Sequence, residues 1–82
     1  MAVVDAEKER RLRWHCRRGL LELDLTLGRF MDEKLVSLTP EQVMQFEALL
    51  EYEDNDLWAV LTRRQACTDP RLLNMVEMLR VV

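Results

Sequence analysis

Residues 17–29 read RRGLLELDLTLGR, and the fold depends on how that stretch is read. From Leu21 to Leu27 leucine alternates with Glu22, Asp24 and Thr26, the period-two signature of a half-buried strand. A strand needs a partner, however, and the other β-branched clusters, Val3–Val4 and Val81–Val82, lie at the two ends of the chain, where pairing frays. A helical template reaches further: Leu20, Leu23, Leu27, Met31 and Leu35 recur at steps of three and four, with Phe30 beside them. The spacing therefore predicts a helix over about 20–34. Gly28 falls inside it at about 1 kcal/mol relative to alanine, which marks a point for a kink or an early break.

Working outward, the chain divides into about five short helices joined by brief turns. Asp5 caps a first helix running toward Arg17, with acids early and Arg11, Arg13, Arg17 and Arg18 late, in the sense that complements the helix dipole. Its apolar stripe is thin, since Leu12 and Cys16 share a face and Trp14 lies off it, so this helix leans on the edge of the domain. SLTPEQV is the sharpest boundary: Thr39 is an N-cap, Pro40 the first helical residue and Gln42 the reciprocal member of a capping box. Val43, Phe46, Leu49, Leu50 and Tyr52 give that helix a core stripe, ending near Glu53. Asp54 or Asn55 caps a fourth helix carrying Leu57, Trp58, Val60 and Leu61, closed by Thr62 to Arg64. After the loop QACT, Asp69 and Pro70 start a last helix with Leu72, Leu73, Met75, Val76 and Leu79 facing inward. Trp14, Tyr52 and Trp58 read as core or edge packing, and methionines such as Met44, Met75 and Met78 as gap fillers.

The expected fold is all-α, a compact helical bundle forming one domain over residues 1–82. A chain of 82 residues hides only about 60% of its unfolded surface, which leaves little interior for a catalytic cleft and favours action through the surface. Residues 1–18 hold six basic against three acidic groups, and the remainder six against twelve; that acidic body would repel phosphate, so nucleic acid is not an expected partner. Cys16 and Cys67 form no CxxC pair and accompany a single histidine, His15, so no zinc site is expected and both read as reduced, partly buried thiols. His15 and Cys16 are adjacent and would diverge on a helix, with nothing to mark an oxyanion site, so no catalytic residues are assigned. Without a leader or an apolar run of about 18 residues, the expected location is the cytoplasm, with no membrane insertion.

Arg18 and Glu22 lie four positions apart with Gly19 between them. Stability alone gives little reason for the pair, because an exposed Arg-before-Glu contact contributes at most about 1 kcal/mol. The glycine has two explanations: a backbone angle closed to other residues, or close approach by another protein's backbone.

WHCRRGLLELD resembles the RGxxE region of the succinate dehydrogenase assembly factors that promote flavin attachment, a family of small all-helical proteins, with Arg18, Gly19 and Glu22 as the R, G and E. LSLTPEQVMQFEALLEYEDNDLWAVL is similar to that family's third and fourth helices, joined by an acidic turn. The resemblance implies a dedicated chaperone that binds the flavoprotein subunit of succinate dehydrogenase, or of fumarate reductase, and favours the covalent bond between FAD and a client histidine. It implies that no cofactor is bound tightly by this chain, the FAD belonging to the client. A monomer is expected. Arg18 is then expected to make a charge-assisted contact to the client, Gly19 to allow close backbone approach, and Glu22 to orient Arg18 or make its own contact. Arg17, Asp24, Asp54 and Asp56 are expected to form a polar rim around them. The alternative is a small helical adaptor or antitoxin-type protein that uses the same helices against another partner.

Overall fold

The computed structural model describes residues 4–80, which form five α-helices and no strand. They are α1 (Ala6–His15), α2 (Leu21–Lys34), α3 (Pro40–Leu50), α4 (Asp54–Leu61) and α5 (Leu73–Arg80), with single 3-10 turns at Leu35–Ser37 and Pro70–Leu72. The helical period of α2 separates its leucines. Leu23 and Leu27 are fully buried while Leu21 and Leu25 remain 68% and 58% exposed, whereas a strand would have put all four on one face. The helix runs through Gly28 without a break.

The caps explain where the helices begin. Asp5 accepts a hydrogen bond from the Lys8 amide at 2.8 Å. At α3 the Gln42 amide donates to Thr39 Oγ1 (3.1 Å) and the Thr39 amide to Gln42 Oε1 (2.9 Å), completing the capping box. Two helix starts differ from expectation. Asp54 and Asn55 do not cap α4: its N-cap is Glu53, without a side-chain bond, because Asp54 is already the first helical residue and its carboxylate is engaged by Arg18. Asp69 does accept from the Arg71 amide (3.0 Å), but the turn it starts is 3-10, and α5 proper begins at Leu73.

The helices close on one continuous core. The rings of Phe30 on α2 and Phe46 on α3 lie 5.0 Å apart and tilted, and α5 packs on α2, α3 and α4 through Met75, Val76 and Leu79. The Cα radius of gyration, 11.9 Å, matches the roughly 12 Å expected of a close-packed chain this long. α1 supplies only Leu12 and, just past its end, Cys16, which confirms its place at the edge. Val4, expected at a frayed end, joins the core; Val3, Val81 and Val82 fall outside the described residues. Tyr52, Trp58 and Met78 pack partly buried against the cluster. Trp14, Met44 and Leu73, expected to pack inward or along the edge, stand exposed. The 3-10 turn at Pro70–Leu72 advances about 120° per residue, which leaves Leu72 inward and turns Leu73 outward.

Candidate docking site

The turn joining α1 to α2 is built around Arg18. α1 tightens as it ends: the Cys16 amide is shared between the Leu12 and Arg13 carbonyls, and Arg17 donates three residues back to that of Trp14 at 3.1 Å. The Arg18 amide leaves the helix direction and donates to Asp24 Oδ1 at 2.6 Å, so a carboxylate in the first turn of α2 reaches back and closes the loop. Gly19 then takes φ +81°, and Leu20 is extended. A Cβ built on Gly19 would meet no atom within 4 Å, so the angle, not crowding inside the chain, is what requires glycine here.

The Arg18 side chain turns inward, which corrects the expectation of an outward contact. It is 11% exposed. Nε donates to Asp54 Oδ1 at 2.8 Å, Nη1 to the carbonyls of Leu50 (2.6 Å) and His15 (3.1 Å), and Nη2 to the carbonyl of Tyr52. The guanidinium thus sits where α1 and α3 end and α4 begins, against carbonyls at the negative ends of two dipoles and a carboxylate at the positive end of a third. This also explains why α3 ends at Leu50 and not near Glu53: the Leu50 and Tyr52 carbonyls face Arg18, while the Glu51 and Tyr52 amides tighten onto Ala48 and Leu49. No pattern within a few residues announces such a clamp. The only local signal is an arginine beside a glycine where a helix stops.

Six of the seven residues expected at the site gather around this turn. Arg17, Gly19 and Glu22 are exposed, Asp24 and Asp54 are half-buried and tied to Arg18, and Arg18 lies beneath them. Glu22 does not orient Arg18; Asp54 and Asp24 do. Asp56, the seventh, is exposed in the first turn of α4, with no bond joining it to the others among the described residues. α2 starts on Leu20 without a side-chain cap, so the amides of its first turn lack a side-chain acceptor among the described residues. Beside the turn, a shallow groove of about 400 Å³ is lined by Arg13, Cys16, Arg17, Asp24, Gly28 and Met31.

Cys16 forms the floor of that groove. Burial pushes its thiol up to about 11, against the smaller lowering influence of Arg18 and Arg13. It therefore stays protonated at neutral pH and offers no thiolate, while His15 beside it is exposed. Cys67 is also free, half-buried, with Sγ 3.4 Å from the Asp69 carbonyl. No helix among the described residues is long and apolar enough to cross a membrane.

The site is thus an exposed glycine turn at an uncapped helix start, held from beneath by a half-buried arginine on a small helical scaffold. Comparison with known proteins gives the family. The model of the family described as flavinator of succinate dehydrogenase matches residues 10–82, and the chain belongs to that family. It is 43% identical over 70 residues to the FAD assembly factor SdhE of Shewanella oneidensis, covering 85% of each chain. The corresponding figures are 42% over 72 residues for the Vibrio cholerae factor, covering 88% of this chain and 84% of that one, and 39% over 77 residues for that of Pseudomonas aeruginosa, covering 94% and 92%. The adaptor or antitoxin alternative finds no support in these matches. No solved structure matches the chain significantly.

Proposed function

We propose that this protein is an assembly chaperone that binds the flavoprotein subunit of succinate dehydrogenase and promotes covalent attachment of its FAD. Membership of the flavinator family supports the client and the outcome. The observation that carries the site is Gly19, held at φ +81° with open space above it, beside the uncapped start of α2. A partner backbone can approach Gly19 closely, and its carbonyls or a carboxylate can accept from the free amides of the first turn. Glu22, Arg17, Asp24, Asp54 and Asp56 surround that contact as a polar rim, and Arg18 fixes the turn from beneath.

The chaperone acts by differential binding. It favours the client conformation in which the flavin and the accepting histidine are aligned, and leaves once the bond has formed. The FAD stays with the client, whose own groups carry out the chemistry, and this chain contributes no catalytic residue. It works as a monomer in the cytoplasm, and the related flavoprotein of fumarate reductase is a second client. Co-purification of tagged client with Gly19→Arg and Glu22→Ala variants, read with in-gel flavin fluorescence, tests the assignment. Loss of both client capture and flavin fluorescence is expected. Normal capture and flavinylation by both folded variants would remove it.

A further inference from the structure

The face of α1 turned away from the core carries Glu7, Arg10, Arg11, Trp14 and His15, and these side chains of one helix line a shallow depression of about 330 Å³. Trp14 is 71% exposed there, whereas Trp58 packs against the core. A tryptophan left in water on an outer helix face, with no described residue of another element lining its depression, is the residue type that most often anchors an interface. The charges around it are open as well. Lys8 pairs with Glu47, Arg13 with Glu9 and Asp32, and Arg18 with Asp54, but among the described residues Arg10, Arg11 and Arg17 have no carboxylate within ion-pair distance. The surface is continuous with the docking turn, since the Arg17 amide is bonded to the Trp14 carbonyl.

Charge decides what fits. Two copies meeting symmetrically through this face would oppose arginine to arginine. Nucleic acid or an anionic bilayer would meet the acidic remainder of the chain, with twelve acidic groups against six basic beyond residue 18. An acidic protein surface with an apolar recess satisfies both features. We propose that this face of α1 docks an acidic patch of the flavoprotein client, with Trp14 filling a recess at its centre and Arg10, Arg11 and Arg17 pairing with carboxylates around it. The inference rests on the function proposed above and extends its contact surface from the turn along α1.

Binding of each variant to immobilised apo-flavoprotein subunit of succinate dehydrogenase, followed kinetically at low and high salt, tests it. Trp14→Ala should weaken affinity roughly 10- to 100-fold, mostly through faster dissociation. The double variant Arg10→Glu, Arg11→Glu should slow association about tenfold at low salt and flatten its salt dependence. Arg64→Glu, an exposed arginine elsewhere, should bind as wild type, and all should melt alike because the altered side chains are exposed. Wild-type kinetics for both Trp14→Ala and the double variant overturn the inference. If Gly19→Arg is then still defective, the docking turn stands without this face; if Gly19→Arg also binds normally, the turn falls separately. A wild-type dimer in light scattering that Trp14→Ala abolishes, or binding to anionic vesicles that needs Arg10 and Arg11, with client binding untouched in either case, likewise overturns it.

Discussion

Arg18 holds three helix ends with four hydrogen bonds from a single guanidinium, and its removal would leave the Leu50 and Tyr52 carbonyls and the Asp54 carboxylate without their partner. Arg18→Ala is expected to cost about 2–4 kcal/mol in urea denaturation with an unchanged m-value. Arg18→Lys should recover less than half of that, because an ammonium cannot reproduce the planar fork. A loss below about 0.5 kcal/mol would show the clamp to be incidental. Cys16 makes a separate prediction. Its folded-state pKa, about 11, lies above that of a thiol in the unfolded chain, so its contribution is fully present below about pH 8.5 and is lost as pH rises toward 11. Thermal stability should therefore fall between pH 8.5 and 11, and Cys16→Ala should fall less steeply over that window. Equal slopes would contradict the burial argument.

At the level of the helices, α4 ends in a Schellman motif with an unusual residue in it. Arg63 takes φ +65°, its amide donates to the Val60 carbonyl, and the Arg64 amide donates to that of Ala59. Arg63→Gly should stabilise the protein by about 0.5–1 kcal/mol, since its exposed pairing with Glu77 at 4.0 Å contributes little. Gly28 is the opposite case: a helical glycine with ordinary φ and nothing within 4 Å of an added Cβ, so Gly28→Ala should gain about 0.5–1 kcal/mol in melting experiments. The start of α3 was legible because Thr39, Pro40 and Gln42 settle it among themselves. The end of α3 was not, because Arg18 holds it by bonding to the Leu50 and Tyr52 carbonyls, 32 and 34 positions away. The sequence left two reasons for Gly19, a special backbone angle or close approach by a partner, and its φ of +81° supplies the first.

Across the whole molecule, the two half-buried arginines do the same work at opposite ends of α4. Arg18 ties α1, α3 and α4 together, and Arg80 at the end of α5 donates to the Val60 and Leu61 carbonyls that finish α4. These connections brace a small core that α1 barely enters. The all-α class was legible from the period of the leucines. Which large apolar residues stay outside was legible only in part: Trp14 lies off the face shared by Leu12 and Cys16, but Met44 and Leu73 carry no mark in their spacing that separates them from packed neighbours. Among the described residues, the segment from Arg17 to Glu22 is where uncapped backbone amides, an open glycine and unpaired charge meet. Amide hydrogen exchange of this protein with and without the apo-flavoprotein subunit measures that claim directly. The strongest protection is expected over residues 19–23; unchanged exchange there, with protection confined to α3 or α5, would contradict it.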